Sequence, residues 1–202
     1  MAALSQVIQG RFSVSQRQMV DVIEAEFQAA GYPQEAAAAA VVNAIAESGL
    51  RPDIAGDGGK SVGLFQLHEN GGGKGMSVRE RQDPRLNARR IIEETRRGQG
   101  KAFSDAVRAG ERDIGKLAGI FAYYVEHPQD KTGERDRRAA AARSLFPSRL
   151  TGSGGSGVPS RAPRRDKPSR SSQSNNAEAL LTAGAVLLAL VAVAATAATM
   201  RG

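Results

Sequence analysis

The chain has 202 residues, with 28 Lys and Arg against 21 Asp and Glu, two histidines and no cysteine. That length accommodates one core of roughly 150 residues plus appendages and is short for two ordinary domains. The composition excludes a disulfide framework, a thiolate metal site and an all-histidine metal site, so the fold has to stand on its apolar core.

The net charge of +7 is unevenly spread. Residues 1–148 carry 21 basic against 19 acidic side chains, and residues 149–176 carry 6 against 1. The excess therefore sits in a stretch without a single aromatic residue, which speaks against nucleic acid as a partner, since a strand-binding surface interleaves bases with stacking rings. The first eighteen residues lack an uninterrupted apolar run and a small-residue cleavage site, so no secretory signal is read there.

In chain order, Val14 to Ala30 predicts a helix with apolar positions at Met19, Ile23 and Phe27, stopped by Gly31. Pro33 opens a second helix, PQEAAAAAVVNAIAES, in whose first turn its missing N–H is not needed; Gly49 ends it. Residues 49–75 hold nine glycines and one strand-like run, SVGLFQL, which predicts a compact loop or small hairpin. Asp83 and Pro84 cap and open a helix running to about Arg97. Another helix spans about Asp113 to Glu126, apolar at Leu117, Ile120, Phe121 and Tyr124, with Pro128 beyond it; a last one covers Glu134 to Leu145. Residues 1–148 are thus expected to form a mainly α domain with a glycine-rich insertion.

Two segments follow. Residues 149–176, rich in Gly, Ser, Pro and Arg, bury too little apolar surface to fold and read as a flexible basic linker. Within residues 177–202, the run from Ala179 to Met200 has 22 residues and no charge, and as a helix it would extend about 33 Å against a hydrocarbon core of about 30 Å. It is expected to be a transmembrane helix. The linker bases Arg161, Arg164, Arg165, Lys167 and Arg170 would serve either solubility or attraction to anionic headgroups.

Glu47 stands out among the carboxylates. It falls in the last turn of the Ala-rich helix after a run expected to be buried, and burial together with the negative helix end disfavours its ionised form. A raised pKa suits a general acid. The string that follows is Glu47-Ser48-Gly49-Leu50, then GDGGKSVGLFQ over residues 56–66.

Residues 43–66 resemble the active-site signature of the goose-type lysozyme and soluble lytic transglycosylase superfamily. In that signature a Glu-Ser pair closes a helix and a Gly-Leu-x-Gln strand follows. The resemblance is closest to the phage tail lysozyme-like branch, whose aromatic-rich segment ending in Glu-Arg-Pro is similar to FAYYVEHP at 121–128, with His127 in place of the usual Arg. It implies a lysozyme-like fold over about residues 15–146, with Glu47 as the acid that protonates the glycosidic oxygen of peptidoglycan. Ser61 and Gln66 would line the cleft, and Asp57 would be the second carboxylate that positions water. Tyr123 or Tyr124 would hydrogen-bond Glu47; helical spacing puts Tyr124 with the core face and leaves Tyr123 freer to reach the site. The position two after Gln66, an Asp in goose-type enzymes, is His68 here. That favours lytic transglycosylation, in which the substrate's own C6 hydroxyl closes a 1,6-anhydro ring, over hydrolysis by a water-using muramidase.

No cofactor or metal is expected. His68 and His127 find no third neutral ligand, and Asn70-Gly-Gly-Gly-Lys-Gly75 lacks the Ser or Thr that a phosphate loop needs after its Lys. A membrane anchor without an export signal, on an enzyme whose substrate lies in the bacterial envelope, points to a phage virion component that opens peptidoglycan during genome delivery, with other virion proteins as possible partners. The competing readings are a non-catalytic membrane-anchored virion structural protein and a holin-like lysis effector.

Overall fold

The computed structural model describes residues 2–126 and 130–147. The linker and the 179–200 run lie outside the described residues; among those described, no helix is long and apolar enough to cross a membrane.

The centre of the fold is set by alanine. Helix α3 (Gln34–Ser48) is buried from Ala36 to Ile45 on every face, because its small side chains let neighbouring helices approach on all sides. Helix α2 (Val14–Ala29) packs along it, and helix α1 (Leu4–Val7) packs on α2. The start of α2 is fixed by a capping box, in which Gln16 N–H donates to Ser13 Oγ and Gln16 Oε1 accepts from Ser13 N–H. Val20, Ile23 and Phe27 form its buried stripe, with Met19 only partly covered. Pro33 sits one residue before the first turn of α3, and Gly49, left-handed at φ 62°, closes the helix.

The glycine-rich insertion is a three-stranded antiparallel sheet of two-residue strands, β1 (Ala55–Gly56), β2 (Ser61–Val62) and β3 (Leu67–His68), with Gly56 opposite Ser61 and Val62 opposite Leu67. The single strand expected over SVGLFQL is broken after Val62 by a turn at 63–66, where Gln66 N–H donates to Gly63 C=O. The cause is Gly63, at φ 89°, where a Cβ would stand 2.1 Å from the Arg81 carbonyl oxygen and 2.3 Å from Asn87 Nδ2. The turn also buries Leu64 and Phe65 consecutively, which an alternating strand cannot do.

After the sheet come α4 (Val78–Gln82), α5 (Pro84–Glu94), α6 (Lys101–Arg108), α7 (Ile114–Phe121) and α8 (Lys131–Leu145). Asp83 caps α5 as expected, but the helix stops at Glu94, short of Arg97, as Thr95 turns its hydroxyl back onto the Ile92 carbonyl. The sequence reading had no counterpart for α1, α4 or α6. Helix α6 buries Phe103 and Val107, and Phe27, Tyr32, Phe103, Phe121 and Phe65 form one chain of ring contacts through the core. The helix expected over Asp113 to Glu126 changes character, being α to Phe121 and then a π turn at Ala122–Glu126. The wider turn resets the side-chain phase, so Tyr124 is 36% exposed rather than on the core face. Helix α8, capped by Asp130, begins three residues before the expected Glu134 and packs closely on α7.

Candidate active site

Glu47 occupies the last turn of α3 with its side chain 27% exposed, and opposite it lies a residue from the other end of the domain. Arg138 of α8 is nearly inaccessible, at 8%, and its guanidinium is fully committed. Its Nη2 donates to Glu47 Oε1 at 2.9 Å and lies 3.7 Å from Glu126 Oε2; its Nη1 reaches Glu134 Oε2 at 2.5 Å and its Nε donates to Asn43 Oδ1 at 3.2 Å. Asn43 is itself anchored, donating to the carbonyls of Ala39 and Ala118, so α3, α7 and α8 meet at one polar knot. Gly119 makes the approach possible, since a Cβ there would stand 3.1 Å from the Arg135 carbonyl oxygen of α8.

The electrostatics follow from that count of charges. Glu47 is raised above the ordinary carboxylate range, chiefly by burial; the Arg138 charge and the hydrogen bonds from Arg138 and Glu126 oppose the shift, and the charge of Glu134 adds to it. Glu126, whose side chain is 7% exposed, is pushed well above its ordinary value by burial and by the charge of Glu47. Its Oε1 is buried without a donor, which a carboxylate tolerates poorly and a neutral carboxyl group far better. A carboxyl whose pKa is raised is the kind that protonation of a glycosidic oxygen requires.

The sheet stands beside this knot and is tied to it. Ser48 Oγ bridges the carbonyls of Ala44 and Leu64, joining the end of α3 to the 63–66 turn. Asn87 of α5 holds the same turn, accepting from Phe65 N–H and donating to the carbonyls of Val62 and Arg81. Gln66, at φ 44°, donates from its amide to the carbonyls of Ile54 and Gly63.

A cleft of about 660 Å³ opens over Glu47. Gln66, His68, Tyr124 and Glu126 line it, together with Glu94 at the end of α5 and Arg97 just beyond it. Of the expected site residues, Glu47, Gln66 and Tyr124 share this cleft, whereas Asp57, Ser61 and Tyr123 are not among its lining residues. Ser61 Oγ donates to Asp57 Oδ2 at 2.6 Å across the β1–β2 turn. Tyr123 packs against Tyr124 with the rings tilted 56°, and the Lys131 ammonium lies over it, 5.2 Å from its ring centre. No group of three or more His, Asp or Glu among the described residues is arranged to hold a metal ion.

Sequence reasoning missed Arg138, Glu126, Asn43 and Asn87 as site residues. The signal for Glu126 was present, since it is the one carboxylate within the otherwise apolar LAGIFAYYVE run. Nothing local marked Arg138 among the other arginines of α8. The family model for phage tail lysozyme matches residues 18–147. No curated protein and no solved structure matches the chain.

Proposed function

The chain belongs to the phage tail lysozyme family, and on that premise we propose that its peptidoglycan-cleaving domain acts as a lytic transglycosylase with Glu47 as the acid. The observation that supports this reading is the half-buried Glu47, its pKa raised by burial, on the wall of a cleft whose lining does not include Asp57, the candidate water-positioning carboxylate, which accepts from Ser61 instead. Glu47 donates its proton to the oxygen linking N-acetylmuramic acid to N-acetylglucosamine, and the C1–O bond breaks as that oxygen leaves. The Glu47 carboxylate then takes the proton from the C6 hydroxyl of the muramic acid, whose oxygen bonds to C1 and closes the anhydro ring. No external water is consumed. Gln66 and Tyr124, which line the same cleft as Glu47, would contact the glycan, with Ser61 and Tyr123 outside its lining.

Hydrolysis has one observation in its favour. Glu94, the ion-pair partner of Arg97, is a carboxylate on the same cleft. The products separate the two chemistries. Digestion of purified sacculi by the full chain, followed by analysis of the muropeptides, should give anhydro-muramic ends; reducing muramic ends would assign a muramidase, and intact sacculi with folded protein would favour a non-catalytic structural role. The biological setting that fits is a virion enzyme that opens the wall during genome delivery, tethered through the 149–176 linker and the 179–200 run.

A further inference from the structure

We propose that Glu126 is a positioning residue that shares a single proton with Glu47, so that the two carboxyl groups work as one acid. The proposal rests on the assignment of Glu47 as the acid and adds to it a residue to which that assignment gives no part.

The geometry supporting it is independent of the reaction. Glu47 comes from the end of α3 and Glu126 from the π turn after α7, and both face one cleft and one guanidinium. The groups facing the pair are Arg138 and Glu134 from α8; Glu94, Arg97, His68 and Tyr124 lie farther along the cleft wall. Three carboxyl groups, those of Glu47, Glu126 and Glu134, thus surround one cation. Glu134, which Arg137 also pairs at 2.7 Å, takes the Nη1 edge of Arg138, leaving the Nη2 edge to Glu47 and Glu126. With Glu134 served by Arg137 as well, one guanidinium edge is left for the two buried carboxyls of Glu47 and Glu126 and cannot compensate both, so one proton stays. Glu47 Oε1 and Glu126 Oε2 approach the same Arg138 Nη2, at 2.9 and 3.7 Å, and two carboxyls gathered at one guanidinium edge can hydrogen-bond to each other only when one of them carries that proton. The buried, donorless Glu126 Oε1 is consistent with the proton residing mostly on Glu126 while the cleft is empty.

When the leaving oxygen of a glycan enters the cleft, the proton moves from Glu126 to Glu47 and from there to that oxygen. Both carboxylates are then ionised beside a single guanidinium, an arrangement that makes Glu47 a ready acceptor for the proton released by the C6 hydroxyl or by water. The proton returns to the pair and the cycle closes without net charge change. The pair titrates as a unit with two macroscopic steps.

The test is the pH dependence of kcat/KM for sacculus cleavage by the full chain, wild type against Glu126→Gln. Glutamine fills the same volume and still donates to Glu47, but it can neither hold the proton nor carry a charge. The expected result is a basic limb moved to lower pH by about one unit or more, with Glu126→Asp restoring part of the shift. A folded Glu126→Gln protein with an unchanged profile overturns the proposal, because a merely structural carboxyl would leave the limb in place. A second measurement needs no turnover. NMR titration of the full chain labelled with 13C at the glutamate carboxyls should show one group still protonated near neutrality, and that step should move down in Glu47→Gln. If every glutamate is ionised by about pH 6, the shared proton does not exist. Should wild type cleave nothing while the titration shows the pair, the transglycosylase reading fails and the pair stands. Loss of cleavage in Glu47→Gln together with an unshifted Glu126→Gln profile gives the reverse.

Discussion

Arg138 brings one charge to three carboxyl groups and has nowhere to turn, because Asn43 holds its Nε. Removing the cation leaves the carboxyls facing one another in a buried place, which costs far more than an exposed ion pair would. Arg138→Met is therefore expected to lower the unfolding free energy by about 3–5 kcal/mol in urea titrations. A change under about 1 kcal/mol would mean that the knot contributes no more than a surface pair. At this scale the sequence was legible in part. Glu47 announced itself through its neighbours in the chain, Ser48 and the 56–66 string. Arg138 is 91 residues away from it, and only the packing of α8 against α3 and α7 brings the two together. Tyr124 was misread for a different physical reason, since helical spacing assumes 3.6 residues per turn and the π turn at Ala122–Glu126 abandons it.

The elements differ in how much of their shape is local. Helices α2 and α5 carry their own start signals in Ser13 with Gln16 and in Asp83 with Pro84, and their beginnings follow from those residues alone. The ends are less local, as the halt of α5 at Glu94 shows. Helix α6 is only eight residues long, too short for its two apolar positions to register as a pattern, and it owes its stability to Phe103 in the ring chain. The 63–66 turn depends on a tertiary constraint, the passage of the Arg81 and Asn87 groups directly over Gly63. Gly63→Ala combines a left-handed backbone with a collision against main chain. It should destabilise the domain by about 2–4 kcal/mol and displace Gln66 from the cleft, reducing cleavage even in the protein that remains folded. Wild-type stability in that variant, measured by thermal unfolding, would show that the turn can shift at little cost.

For the molecule as a whole, the knot leaves a signature in stability against pH. Glu47 and Glu126 both have folded values above the ordinary one, so the folded state binds protons more tightly than the unfolded chain. Their contribution is fully present below the ordinary glutamate value and is lost as pH rises through the raised values. Carboxylates in ion pairs, such as Glu26 with Arg85 and Arg89, are lowered and act in the opposite sense, and they cancel when two variants are subtracted. The thermal midpoint of Glu126→Gln relative to wild type should therefore rise as the pH climbs above the ordinary glutamate value and level off once it has passed the raised values. A constant difference would indicate that Glu126 is ionised throughout.

The mainly helical domain with its small sheet was readable from periodicity and glycine placement, and the family model covers nearly the whole of it. The cleft was not readable, because its walls come from α3, the sheet, α5 and the π turn, and their meeting is a property of the packed core. Glu47 is the point at which both kinds of information converge. The most direct measurement is sacculus cleavage by the full chain and by Glu47→Gln, each checked for native folding by circular dichroism. Loss of the acid should reduce cleavage by about 10²–10⁴-fold with the fold intact. A folded Glu47→Gln protein that cleaves at the wild-type rate would contradict the assignment of Glu47.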